Sequence, residues 1–174
     1  MKKKMIRSIV IFGVALVLGI TAGFASAADA GSGRAGNDFG LGFVLGNPSG
    51  LSAKIPSGPS NSINLILGYD ANGRWNDNNA NCCGDGRLYL GGDYVWYNYN
   101  LIHVAQGRLP FYYGPGAWAS IANNSSFGLR IALGLEYQFA NAPFDIFLEI
   151  GPGIRIMPNT NGVVSAGLGG RFFF

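Results

Sequence analysis

Eight charged residues fall at alternate positions of segments that have the pattern of β-strands. They are Lys54, Asp93, Arg130, Glu136, Asp145, Glu149, Arg155 and Arg171, four of each sign. Glu136, Asp145 and Glu149 are expected at one level on adjacent strands, where paired carboxylates would suit acid–base catalysis. Networks of buried ion pairs bring carboxylates together in the same way. We favour an ion-pair network over a carboxylate site, and we assign no catalytic residue.

The single histidine is the other candidate base. His103 lies in or near a predicted turn, and the sequence places no serine or aspartate beside it. An interfacial or solvated histidine is therefore the favoured interpretation. Gly40-Leu41-Gly42 lies inside a predicted strand, which indicates packing rather than phosphate binding. With no spacing typical of metal ligands, we expect no enzymatic activity, no cofactor and no metal.

The segments that position these charges alternate between apolar and other residues. Residues 128–139 place Leu129, Ile131, Leu133 and Leu135 on one face, and residues 144–156 repeat the pattern. Both exceed the roughly 5–6 residues usual for strands in soluble proteins. They reach the roughly 9–11 residues that cross a bilayer. An unbroken apolar face opposite charged and small residues is typical of a barrel with lipid outside and a filled lumen.

The rest of the chain divides into six further strands. Their predicted bounds are 39–46, 51–55, 63–70, 87 to about 102, 109–120 and 163–174, with a turn at 47–50 and a bulge near Tyr97. An even number of strands puts both termini at one end. The predicted fold class is all-β, an eight-stranded antiparallel up-and-down transmembrane β-barrel over 39–174. If Ile156 lies opposite Val164, Glu149 lies opposite Arg171 and Phe174 opposite Ile146.

Aromatic residues gather near the strand ends closest to the termini. They are Phe39, Tyr94, Trp96, Phe111, Tyr137, Phe139, Phe144, Phe172 and Phe174. Tyr69 and Trp118 are placed at the opposite rim, and Tyr89, Phe147 and Phe173 inside the barrel. An aromatic girdle at the headgroup level is typical of membrane barrels. A soluble β-sandwich is the alternative, and it does not explain strands of this length.

The first 27 residues have the parts of a cleavable signal peptide. A basic start is followed by an apolar stretch, 8–24, and by Ala25-Ser26-Ala27, a typical cleavage site. A transmembrane anchor is less favoured, because the stretch is short and rich in glycine. No cysteine follows the cut directly, so no lipid attachment is expected. Residues 28–38 are then a short periplasmic segment.

Removing the signal peptide also removes the basic character of the chain. The chain has 12 Lys and Arg against 9 Asp and Glu, and four of the basic residues lie in the signal. The mature chain therefore has a slight excess of negative charge. Nucleic-acid binding loses its electrostatic support.

The longest predicted external loop, 71–86, is rich in asparagine. It contains Trp75 and the adjacent pair Cys82 and Cys83, which are the candidate external contacts. In an oxidising compartment the cysteines could form a vicinal disulfide, pair with another chain or stay free. Such loops are usually solvated connectors, and a ligand site is the alternative.

The last strand ends in Phe174 and is similar to the C-terminal signal that the barrel assembly machinery recognises. The mature chain resembles the OmpA-like and OmpX-like group of small outer-membrane barrels, and 40–54 and 141–153 resemble a little-studied small-barrel family. The resemblance implies a bacterial outer-membrane location, with outer-membrane lipid and the assembly machinery as partners. It also implies a chain without a peptidoglycan-binding domain. It implies no activity, because one barrel fold hosts many functions.

Three functions remain open at this point. A structural or surface-interaction role through the external loops, with an unknown surface ligand, is favoured. A narrow pore for small solutes is disfavoured by the balanced charges and the bulky residues predicted inside. A lipid-modifying envelope enzyme is disfavoured by the lack of a nucleophile and base pair.

Overall fold

The computed structural model describes residues 38–70, 87–122 and 125–174. The predicted signal peptide, most of the short segment after it, and Trp75, Cys82 and Cys83 lie outside the described residues. Within the described residues, no helix is long and apolar enough to cross a membrane.

Eight antiparallel strands form one closed barrel, in which each strand pairs with its neighbours in sequence and the first pairs with the last. The strands are β1 Gly40–Asn47, β2 Ser49–Gly58, β3 Asn61–Asp70, β4 Arg87–Asn98, β5 Phe111–Ile121, β6 Ser126–Gln138, β7 Phe144–Met157 and β8 Asn161–Phe173. The predicted all-β, eight-stranded, up-and-down fold is confirmed.

The two ends of the barrel differ in their connections. The start of β1 and the end of β8 lie at what we call the termini end, together with connections 59–60, 99–110 and 139–143. The opposite end, which we call the loop end, carries the connection between β3 and β4. The prediction that the first strand begins and the last strand ends at the same end of the barrel is confirmed.

Side chains alternate between the outside and the inside of the barrel, because successive residues of a strand point to opposite faces. On β7, Leu148 is 54% exposed and faces outward, whereas Phe147 is 2% exposed and faces the lumen. Tyr89 and Phe173 are also buried inside, as predicted. The barrel is therefore apolar outside, and its interior holds charged, polar and aromatic side chains.

Glycines opposite the large inward side chains make room for them. Phe147 lies opposite Gly169, and Trp118 lies opposite Gly128. A Cβ atom at either glycine would lie under 3.0 Å from the facing ring. The abundance of glycine in this chain is thus partly a packing requirement of a narrow lumen.

The outward aromatic residues at the termini end form a belt of ring contacts. Centroid distances are 5.2 Å for Tyr94 and Trp96, 6.0 Å for Trp96 and Tyr113, and 4.8 Å for Tyr137 and Phe139. We call this set the aromatic belt: Phe39, Tyr94, Trp96, Phe111, Tyr113, Tyr137, Phe139, Phe144, Phe172 and Phe174. The predicted gathering of aromatics at this end is confirmed.

The register of the last two strands differs from the prediction. Arg155 lies opposite Asn161 and Asp145 opposite Arg171, whereas Glu149 faces Gly167. The predicted pairs of Glu149 with Arg171 and of Phe174 with Ile146 are wrong. The predicted register places residues 157–163 in the connection, but β8 begins at Asn161 and only residues 158–160 join the strands.

Three further local predictions are wrong. Tyr97 lies opposite Tyr112 with no bulge, because Tyr97 is an inward aromatic residue that keeps the alternation, and β4 ends at Asn98. Trp118 lies in the lumen stacked on Tyr89, with centroids 6.0 Å apart, and not at the rim. The turn predicted over 47–50 is shorter, since only Pro48 separates β1 from β2.

Candidate functional site in the barrel lumen

One group of lumen charges, which we call the Glu136 cluster, lies toward the termini end. It consists of Lys54 on β2, Glu136 on β6, Asp145 on β7 and Arg171 on β8. Lys54 Nζ lies 2.6 Å from Glu136 Oε1, and Arg171 Nη2 lies 2.6 Å from Glu136 Oε2 and 3.1 Å from Asp145 Oδ2. All four side chains are at most 1% exposed. The strand register brings Asp145 and Arg171 together, because they are direct neighbours on β7 and β8.

Neutral donors and aromatic rings complete this cluster. Tyr97 donates its hydroxyl hydrogen to Glu136 Oε2 at 3.1 Å, and Gln138 Nε2 donates to Oε1 at 2.7 Å. Lys54 Nζ lies 4.2 Å from the centroid of Tyr97, and the Arg171 guanidinium lies 4.3 Å from that of Phe147. Buried charges need such partners, because they have lost their contact with water.

A second group, the Arg130 cluster, lies near the middle of the barrel. It consists of Arg130 on β6, Asp93 on β4 and Glu149 on β7. Arg130 donates from Nε and Nη2 to the two oxygens of Asp93 and from Nη2 to Glu149 Oε1 at 3.0 Å. Tyr112 donates to Glu149 Oε2 at 2.8 Å. The two-point contact of a guanidinium with a carboxylate fixes the geometry of both side chains.

The two clusters differ in their charge balance. The Glu136 cluster has two cations and two carboxylates, whereas the Arg130 cluster has one cation for two carboxylates. The hydrogen bond from Tyr112 offsets part of the excess negative charge around Glu149. The removal of a cation should therefore matter more in the Arg130 cluster.

Arg155 lies apart from both clusters. It points inward near the loop end of β7, and it makes no ion pair with any residue that the structure describes. Its Nε atom is buried without a hydrogen-bond partner. Seven of the eight predicted lumen charges thus pair across the barrel, whereas Arg155 forms no ion pair with the described residues.

The arrangement suits an ion-pair plug better than a carboxylate site. Glu136 and Asp145 are fully buried, and both bind Arg171, so neither side chain faces space for a substrate. Glu136, Asp145 and Glu149 do not share one site, since Glu149 binds Arg130. Among the residues that the structure describes, no group of three His, Cys, Asp or Glu side chains could hold a metal ion.

Two of the remaining predicted residues, His103 and Phe174, lie outside the lumen. His103 is exposed in the 99–110 connection at the termini end. Phe174 follows β8, where its N–H donates to the carbonyl oxygen of Phe39 at 3.0 Å. Trp75, Cys82 and Cys83 are not among the described residues, so the proposed external contacts stay predictions.

The sequence analysis did not assign several polar lumen residues to the network, among them Tyr97, Tyr112, Gln138 and Ser165. Alternation along the strands places three of these residues inside the barrel, since Ser165 has the parity of Arg171. Gln138 lies two positions after Glu136, and Tyr112 has the inward parity of Gly116, which lies opposite Asp93. Pro115 and the neighbouring glycines obscured that parity on β5.

Comparisons of the sequence with protein-family models, with curated proteins and with solved structures gave no match. The function must therefore be argued from the fold and the lumen.

Proposed function

We propose that this chain is a bacterial outer-membrane β-barrel of the OmpA-like and OmpX-like kind, with a structural or surface-interaction role. The observation that carries the proposal is the inside-out distribution of its side chains. Charges are buried at the centre of the barrel, and large apolar side chains are exposed around it.

The exposed apolar surface is too extensive for a protein surrounded by water. Ile131, Leu148, Ile150 and Leu168 are each more than half exposed, and they lie on neighbouring strands. Soluble monomers rarely expose contiguous apolar patches above a few hundred Å². A lipid bilayer would cover an apolar barrel surface all the way round. Outward aromatic side chains at one end of that surface are typical of the boundary between lipid and water.

Strand length and closure support the same environment. β6, β7 and β8 have 13, 14 and 13 residues, enough to cross a hydrocarbon layer at the usual tilt. A closed barrel also leaves no strand edge with unpaired backbone groups, which a bilayer does not tolerate.

The filled lumen favours a structural role over a pore. Side chains occupy the centre of the barrel at two levels, and each level contains buried ion pairs. An eight-stranded barrel has an interior just wide enough for its own side chains. The loops outside the described residues are then the parts that would contact a surface ligand, and the barrel assembly machinery would act on the last strand.

Membrane location can be tested by fractionation. We expect the protein in outer-membrane fractions, resistant to urea extraction and with a faster gel mobility before boiling than after. Recovery in the soluble periplasmic fraction would contradict the proposal.

The orientation of the strands can be tested with single cysteines that carry spin labels. A lipid-soluble relaxation agent should reach a label at position 148 more than one at position 147. The reverse order would mean that the apolar face does not meet lipid.

The two alternative functions have their own tests. Purified protein in planar bilayers should give no steady conductance, and a reproducible open level would support the narrow pore. Mass spectra of lipid A should be the same with and without the protein, whereas a changed acyl pattern would support a lipid-modifying enzyme.

A further inference from the structure

A small cavity lies inside the barrel between the Arg130 cluster and the loop end. Arg130, Arg155, Ser165, Asn47, Asp70 and Trp118 are among the residues that line it. The volume of the cavity is about 40 Å³. Since one water needs roughly 10–15 Å³ of such space, the cavity has room for about three waters or a small polyatomic ion.

The polar atoms around this cavity are incompletely satisfied. Arg155 Nε, a donor, and Asn47 Oδ1, an acceptor, are both buried and have no hydrogen-bond partner. Most buried polar groups in proteins are paired, so each exception needs an explanation. Two unsatisfied atoms on the wall of one cavity indicate that something polar occupies it.

The guanidinium of Arg155, rather than the net charge of the wall, favours an anion. Arg130 donates hydrogen bonds from Nε and Nη2 to the carboxylates of its cluster. Its Nη1 atom donates to Ser165 Oγ at 3.1 Å on the cavity side. Arg155 has no carboxylate partner among the described residues. Asp70 is the opposing charge on the same wall. A guanidinium without a counter-ion binds oxyanions through charge-assisted hydrogen bonds.

The unsatisfied acceptor Asn47 Oδ1 restricts which anions fit the cavity, because it needs a hydrogen-bond donor from the ligand. A plain carboxylate has no hydrogen to donate to Asn47 Oδ1. Inorganic phosphate and hydroxycarboxylates have anionic oxygens that can accept from Arg155 and a hydroxyl group that can donate to Asn47.

We propose that this cavity is a binding site for a small oxyanion that also carries a hydroxyl group. Arg155 is its anchor, and Asn47 selects the hydroxyl. The inference does not depend on the lipid environment of the barrel, and it holds whether or not the chain has a surface ligand.

The test is a titration of the ¹⁵N-labelled protein in detergent micelles, followed by NMR at constant ionic strength with chloride as the balancing ion. The probes are inorganic phosphate, glycolate and acetate. Phosphate or glycolate should give saturable shifts of the Trp118 indole N–H and the Gly151 amide, and acetate should bind more weakly. Saturation by phosphate alone would identify the ligand as a phosphate, and saturation by glycolate alone would identify it as a hydroxycarboxylate. No saturable shift with either probe would mean that the cavity holds only water, and the proposal would be wrong.

Four variants assign the residues. Arg155→Met should weaken binding by about tenfold or more, since a hydrogen bond to a charged group is lost, and Arg155→Lys should be intermediate because it keeps the charge. Asn47→Ala should weaken glycolate binding and leave acetate unchanged. Asp70→Asn should tighten anion binding. Arg108→Met, at the opposite end, is the control for a general loss of positive charge.

The amide spectrum shows whether each variant is folded. If Arg155→Met binds phosphate as tightly as the natural sequence, or if Arg108→Met weakens binding equally, Arg155 is not the anchor and the proposal is wrong. If Arg155→Met does not fold, Arg155→Lys decides, because unchanged affinity in that variant, with the fork geometry lost, would also overturn the assignment.

Discussion

Tyr112 and Gly134 lie directly opposite each other on β5 and β6, and the tyrosine ring fills the space that a side chain at position 134 would need. A Cβ atom at Gly134 would overlap Cζ of Tyr112. The ring cannot easily move, because it is fully buried and its hydroxyl donates to Glu149. This contact links the glycine pattern of the sequence to the Arg130 cluster.

Gly134→Ala should therefore destabilise the barrel by about 1–3 kcal/mol, the usual cost of overpacking a core. Reversible urea unfolding in lipid vesicles would measure it. Gly92→Ala is the matched control, since a Cβ atom there makes only an ordinary contact 3.4 Å from Leu65. We expect little change in the control. Equal losses in both variants would show that the Tyr112 contact is not the cause.

Glu136→Gln should destabilise the barrel by about 3–5 kcal/mol, because it leaves Lys54 buried without a carboxylate partner among the described residues. Adding Lys54→Met should recover part of that loss. A double-mutant cycle on the unfolding free energy checks the coupling.

The control for this cycle combines Lys54→Met with Asp93→Asn, which lie in different clusters and share no partner in the described contacts. Their losses should add to within about 0.5 kcal/mol. If the losses of unfolding free energy for Lys54→Met and Glu136→Gln were also additive, the two side chains would not interact, and the ion-pair plug would be contradicted.

The Arg130 cluster should respond unequally to the loss of a cation and of a carboxylate. Arg130→Met leaves two buried carboxylates without a cation, so a loss of about 3–5 kcal/mol is expected. Asp93→Asn leaves one cation for one carboxylate and should cost clearly less. Urea unfolding of both variants measures the two losses of unfolding free energy. An equal or larger loss for Asp93→Asn would contradict the argument from the excess of carboxylates in this cluster.

The proposed lipid contact predicts a dependence on depth. Ile150 and Ile154 are 52% and 54% exposed on the same face of β7, and Ile154 lies closer to the loop end. Ile150→Arg should destabilise the barrel in vesicles by about 2–4 kcal/mol, and Ile154→Arg by less. In a soluble barrel both substitutions would be nearly neutral, and that result would remove the support for a membrane location.

The fold was predictable from the sequence because alternation is a local signal with a physical cause. On β6 and β7 the apolar face is unbroken, so both the strands and their inward charges follow from parity. β5 was harder to predict, since Gly114 and Gly116 carry no side chain that reveals a face, and Pro115 between them is unusual inside a strand. Trp118 was misplaced for the same reason.

Register was less predictable than parity. A shift by an even number of residues keeps every side chain on its face, so the hydrophobic pattern does not distinguish Arg171 opposite Glu149 from Arg171 opposite Asp145. The connection between β7 and β8 decides between them, and its length could not be read from residues 157–163. The partners within the lumen therefore required the structure.

The seam between β1 and β8 has a consequence for the order of assembly. Every other pairing joins strands that are consecutive in the chain, whereas this one joins Gly40 to Phe173 and is completed by the bond from Phe174 to Phe39. Local hairpins form early, and contacts between distant segments form late because they require closure of the longest loop. Until the final residues arrive, β1 keeps an open edge that can pair with another chain. A chain truncated before β8 would therefore lack the closing pair and be prone to aggregate, although it would contain seven of the eight strands.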